Sequence, residues 1–119
     1  MNQINSFRDL LVWQKSMVLV TEIYRVTQLF PAQEQYGLTA QMRRCAVSIP
    51  SNIAEGYGRN ATGDYKRFLQ IAVGSLYELQ TQMEIAKNLE FLSEGSFTPI
   101  YEEAKALDRM LLSLIKKIN

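Results

Sequence analysis

The chain has 119 residues, 47% of them hydrophobic, with 13 Lys and Arg against 12 Asp and Glu, so its formal net charge is +1. That length and apolar content suit one folded domain with a real core and exclude a disordered chain. The absence of histidine removes the commonest general base and metal ligand, and a lone cysteine, Cys45, excludes an internal disulfide.

No apolar run approaches the ~18–20 residues of a membrane span. The opening MNQINSFRDLLVW lacks the charged start, apolar centre and cleavage site of a signal peptide, so a cytoplasmic location is expected. The near-zero charge alone argues neither for nor against nucleic acid.

A first helix is predicted over residues 9–30. Leu10, Trp13, Met17, Val20 and Tyr24 make one apolar stripe. Val12, Leu19, Ile23, Val26 and Phe30 make a second. One buried face in a small bundle needs only about 100–140° of the circumference, and the two stripes together cover more. The surplus predicts contact beyond the helix's own bundle.

The second helix is expected over 38–58, with Pro50 inside it. A mid-helix proline removes one backbone hydrogen bond and clashes with the preceding turn, so a kink is expected there. Gln41, Arg44, Ser48, Asn52, Glu55 and Arg59 fall within an arc of roughly 80°, a narrow polar stripe opposite Met42, Ala46, Ile49 and Ile53. Gly56, Gly58, Asn60 and Gly63 mark the turn that follows.

A third helix is read over 62–92, capped by Thr62, with Asp64 in its first turn. Phe68, Ala72, Leu76, Leu79, Met83 and Ala86 form its core stripe. Arg67, Gly74, Ser75, Glu78 and Gln82 form a polar one. The fourth helix is placed over 99–118, with Thr98 as cap and Pro99 at the first position. Ile100, Ala104, Leu107, Leu111, Leu114 and Ile118 repeat as a bundle seam. Lys116 and Lys117 suit the negative end of its dipole. Residues 1–119 are therefore read as a single all-α domain, an up-down-up-down antiparallel four-helix bundle.

In a hairpin turning near Ala61, facing residues of the second and third helices have numbers totalling about 122. Glu55 then faces Arg67, Arg44 faces Glu78, and Ser48 meets Gly74 beside Ser75. The expectation is a polar ladder of Gln41, Arg44, Ser48, Asn52, Glu55, Arg67, Gly74, Ser75 and Glu78, with two ion pairs flanking a small-residue contact. Such pairs set register more than stability.

Catalytic signals are sparse. No Glu-x-x-His pair appears, and Gly56, Gly58 and Gly63 follow no strand, so neither a di-iron site nor a dinucleotide loop is expected. Cys45 sits among apolar neighbours as a core residue. No catalytic residue, metal site or cofactor is assigned. Arg43, Arg44, Arg59, Lys66 and Arg67, with Tyr57 and Tyr65 nearby, are candidates for nucleic-acid contact, because cations interleaved with aromatics hold phosphates and stack bases.

The segments FRDLLVWQKSM, YGLTAQMRRCAVSIPSNIAEGYGR and RFLQIAVGSLYEL resemble the four-helix-bundle proteins of the 23S rRNA-intervening-sequence family over nearly the whole chain. Members are encoded within insertions in the large-subunit ribosomal RNA gene of some bacteria, and others lie elsewhere in genomes; a ribosomal label follows them without an established ribosomal role. A related group comprises the accessory variability proteins of diversity-generating retroelements, barrel-shaped homopentamers that bind nucleic acid and partner with a reverse transcriptase. The resemblance implies a non-enzymatic cytoplasmic homo-oligomer, a pentamer, with RNA, another nucleic acid or a nucleic-acid-processing enzyme as partner. The alternative is a protein-interaction scaffold with no nucleic-acid contact. A more remote reading is an enzyme using Glu55 with an arginine.

Overall fold

The computed structural model describes residues 3–118. Four helices form the body: α1 (Leu11–Thr27), α2 (Leu38–Tyr57), α3 (Thr62–Asn88) and α4 (Glu94–Lys117). Single 3-10 turns at Phe7–Asp9 and Ala32–Glu34 precede α1 and α2. Contacts run α1 to α2, α2 to α3, α3 to α4 and α4 back to α1, so α1 and α3 lie on one diagonal, α2 and α4 on the other. This is a four-helix bundle, with no strand among the described residues.

The core follows the predicted stripes. Val12, Leu19 and Ile23 from α1 meet Met42, Ile49 and Ile53 from α2 and Leu76, Leu79 and Met83 from α3. Ile100, Ala104, Leu107 and Leu111 close it from α4, while Leu114 and Ile118 at its tail are only partly buried. Burying each large side chain contributes roughly 1.5–3 kcal/mol, which is why these stripes rather than local propensity set the fold. The α1 stripe of Leu10, Trp13, Met17, Val20 and Tyr24 behaves differently: Met17 is 41% and Tyr24 39% exposed.

Helix ends depart from the sequence reading for identifiable reasons. The first helix is shorter than 9–30. A capping box of Ser6 and Asp9 closes a separate 3-10 turn, and α1 proper starts at Leu11. At the other end the Thr27 hydroxyl donates to the Ile23 carbonyl at 2.7 Å. The third helix stops at Asn88, not 92, in a Schellman turn. Phe91 N–H donates to the Ala86 carbonyl (2.9 Å) and Glu90 N–H to the Lys87 carbonyl (3.0 Å). Glu90 takes the left-handed position at φ 64°, usually a glycine's, so composition hides this stop. Thr62 is the first helical residue of α3, not its cap.

The fourth helix begins at Glu94, a full turn before Pro99. Ser93 is the cap; its hydroxyl accepts from Ser96 N–H at 3.2 Å. Thr98 is therefore no cap, and Pro99 sits inside the helix. α2 is one continuous helix, with Pro50 inside it.

Candidate functional site at the basic end of the bundle

Among the glycines, the tightest approach lies where α2 turns into α3. A Cβ on Gly56 would come 2.7 Å from Phe68 Cβ and 3.3 Å from the Tyr65 ring and carbonyl, so only glycine lets these helices close here. Gly74, predicted as the small-residue contact, has nothing within 4 Å of a Cβ and lies on an exposed face.

Around Gly56 the aromatics and cations gather. Tyr57 and Tyr65 pack edge to face with centroids 6.0 Å apart. Phe68 lies under two guanidinium groups, Arg59 at 5.1 Å and Arg67 at 5.2 Å from its ring centre. Arg59, just past the end of α2, pairs with Glu55 (3.0 Å), and Arg67 pairs with Asp64 within α3 (3.8 Å). These pairs are exposed, so each contributes at most about 1 kcal/mol and can exchange for another anion. Lys66 beside them has no ion pair among the described residues.

The polar stripe is placed along the α2–α3 seam, but its partners change. Ser48 meets the Ser75 hydroxyl at 2.9 Å, and the Asn52 amide donates to both the Ser48 carbonyl (2.7 Å) and its hydroxyl (2.9 Å). The Cys45 thiol donates to the Ser75 carbonyl at 3.2 Å. The flanking ion pairs are corrected: Glu55 takes Arg59 instead of Arg67, and no Arg44–Glu78 pair forms within 4 Å. An extended α2 side chain reaches its own neighbour one turn away more easily than it spans the seam. Gln41, Arg44 and Glu78 instead line a small groove of about 190 Å³ above Cys45, Ser48 and Ser75. Burial first, and then the Glu78 carboxylate, push the Cys45 thiol up to about 12, which leaves it a protonated packing residue rather than a nucleophile.

Arg43 belongs elsewhere. Its Nε donates to the Thr27 hydroxyl (2.8 Å), a terminal nitrogen donates to the Tyr24 carbonyl (3.3 Å), and the group lies 4.6 Å from the centre of the Tyr24 ring. It ties α2 to the end of α1, at the opposite end of the bundle from Arg59. The candidate cations are thus not one patch: Arg59, Lys66 and Arg67 cluster, Arg44 lines the groove, and Arg43 is a structural clamp.

The antiparallel order reveals a larger feature. Dividing every helix at its midpoint, the half holding the α2–α3 turn carries eight Lys and Arg (Arg8, Lys15, Arg59, Lys66, Arg67, Arg109, Lys116, Lys117) against four Asp and Glu. The other half carries the remaining five against eight. The net charge of +1 therefore hides a bundle of about +4 at one end and −3 at the other. Arg8, Arg109, Lys116 and Lys117 join the basic end, although sequence reading assigned the two lysines only to the helix dipole. Sorting charges by helix half, once the antiparallel order was read, would have found them.

Glu55 is exposed and paired with Arg59. No group of three or more potential metal ligands occurs among the described residues. No described helix is long and apolar enough to cross a membrane.

The comparisons agree with this fold. A crystal structure from Bacteroides thetaiotaomicron of a protein with unknown function from the S23 ribosomal protein family superposes with a TM-score of 0.81. It has 23% sequence identity and covers 90% of this chain and 100% of its own. At that identity the likeness speaks for the fold alone. No curated protein matches the chain. The family model of the 23S rRNA-intervening sequence protein matches residues 8–113, nearly the full bundle. The chain belongs to the 23S rRNA-intervening sequence protein family.

Proposed function

We propose that this protein is a non-enzymatic, self-associating cytoplasmic module that engages RNA or another nucleic acid with its basic end. The observation that carries this reading is the axial segregation of charge, eight cations against four anions in one half of the bundle. A compact field of cations steers a polyanion even when the whole molecule is nearly neutral. Arg59, Lys66 and Arg67 around the α2–α3 turn, with Lys116 from α4, supply the phosphate contacts. Tyr57 and Tyr65 supply aromatic surface beside them. Arg59 and Arg67 exchange their exposed carboxylate partners for phosphate.

Self-association rests on the partly exposed α1 stripe that runs from Leu10 to Tyr24. Trp13, Met17 and Val20 line an apolar groove of about 340 Å³ together with Val47, Pro50 and Ala54 of α2. A pentamer, as the family resemblance implies, multiplies the basic ends and makes weak single contacts add. Solution mass from light scattering tests the assembly; a monomer at micromolar concentration overturns that part.

The test of binding is a salt titration with a labelled structured RNA. The triple variant Arg59→Glu, Lys66→Glu, Lys116→Glu is expected to weaken binding by roughly thirtyfold or more and to flatten its salt dependence. Arg43→Ala is expected to leave binding unchanged, since that guanidinium is held by Thr27 and Tyr24. Binding unaffected by the triple variant would establish the scaffold reading instead.

A further inference from the structure

The seam between α1 and α4 differs from the other three. Leu11 is 56% and Val18 51% exposed on α1, although both lie beside a core helix. Facing them, Ala106, Met110 and Leu114 of α4 complete the floor of an open groove of about 520 Å³, whose lining also includes Arg109 and Lys117. A second hollow of about 380 Å³ shares Ala106 and Met110 and extends past Lys15 and Val18 to Glu103. The two are continuous along α4 from Glu103 to Lys117, a run of about 21 Å at 1.5 Å per residue, or four helical turns.

The chemistry of the main groove is specific. Its lining holds two cations and no carboxylate. Neither Arg109 nor Lys117 has an ion-pair partner among the described residues. Asp108, next in sequence, is turned to α3, where it accepts a hydrogen bond from the Tyr77 hydroxyl at 2.9 Å. The floor is aliphatic and offers no ring for a base to stack on. Two adjacent helices with an apolar trough and a cationic rim form the surface on which a further helix packs.

The geometry points to this seam as a docking groove for an acidic amphipathic helix of a partner protein, about four turns long. Its apolar face covers Leu11, Val18 and Met110, and its carboxylates lie over Arg109 and Lys117. Over both hollows Lys15, Arg109 and Lys117 outnumber the carboxylate of Glu103, so the rim selects acidic partners, because a basic helix would set like charges beside one another. The inference goes beyond nucleic-acid binding and does not depend on it. It uses the α1–α4 face, while the RNA contacts are Arg59, Lys66 and Arg67 at the α2–α3 turn with Lys116 of α4, and self-association uses α1 and α2.

The probe is a synthetic helical peptide of about 15 residues with leucines at i, i+4, i+7 and i+11 flanked by glutamates, compared with a twin carrying lysines. Binding to the full-length protein is read by fluorescence anisotropy, with far-UV circular dichroism confirming that each variant is folded. The acidic peptide should bind at least about tenfold more tightly than its twin at low salt. The double variant Arg109→Glu, Lys117→Glu should reverse that preference, and Met110→Glu should abolish binding of both peptides. Arg59→Glu, Lys66→Glu should lose RNA yet keep the acidic peptide. Equal binding of the twins, or a preference unmoved by the double variant, would overturn the proposal. So would binding of phosphatidylserine vesicles or of an oligonucleotide that is lost in the groove variants while the acidic peptide fails to bind.

Discussion

The two seams on opposite sides of the bundle are built on different terms. Between α2 and α3, Gly56 brings the backbones together against Phe68, and Ser48, Asn52 and Ser75 share hydrogen bonds along the line of contact. Between α1 and α4 leucine, valine and methionine are left facing an open trough. Close approach needs a side chain removed and polar groups satisfied at once; apolar pattern alone leaves the spacing loose. The α2–α3 hairpin is thus the more closely packed side of the molecule, and the α1–α4 side keeps apolar surface available.

Substitutions at the tight seam should separate the two most sharply. Gly56→Val places branched carbon into a 2.7 Å gap and is expected to destabilise by about 3 kcal/mol or more, read as a lowered denaturant midpoint. Leu11→Ser on the loose seam should stay within about 0.5 kcal/mol of the parent. A similar loss at both positions would show that the α1–α4 side is as closely packed as the hairpin. Gly74→Ala, on the outward face of the same α3, is expected to stabilise by roughly 0.5–1 kcal/mol, because a helix-interior glycine gives way to a better helix former with open space around it. Destabilisation there would mean that another surface closes over Gly74.

The smallest effect at neutral pH comes from the Cys45 thiol. Below pH 9 the thiol is protonated in both the folded and unfolded chain. Between pH 9 and about 12 the unfolded thiol ionises while the folded one holds its proton, so the unfolded state binds fewer protons and stability falls as pH rises. Tyr65, Tyr77 and Tyr101, raised by burial in the first case and by carboxylate hydrogen bonds in the others, act in the same direction. Cys45→Ala should reduce the alkaline slope in urea unfolding measured from pH 8 to 11, and an unchanged slope would assign the loss to the tyrosines.

The facing register of α2 and α3 is legible in the sequence. Ser48 opposite Ser75 lies within one residue of the pairing read from a turn near Ala61. The buried stripe of α3 was legible as well, since a 3.6-residue apolar period leaves little choice of inward face. Side-chain partners were less accessible. Several rotamers let Glu55 reach either Arg59 four residues on or Arg67 across the seam, and sequence spacing cannot rank them. Arg43 and Arg44 are adjacent in sequence but project about 100° apart, which sends one to Thr27 and the other to the α2–α3 groove. The start of α4 was missed because Ser93 and Thr98 are both competent caps and Pro99 suits a first turn; Ser93 wins because an earlier start adds a turn that buries Phe97.

The amino-acid sequence by itself determined the helical class, the order of four helices and the inward faces, because hydrophobic period and short connections act locally. It also carried the family. Tertiary structure alone decided which glycine is a contact, which arginines remain available, and which side chains share one groove. Those properties belong to the antiparallel stacking of helices, which places residues far apart in sequence within one field and one groove.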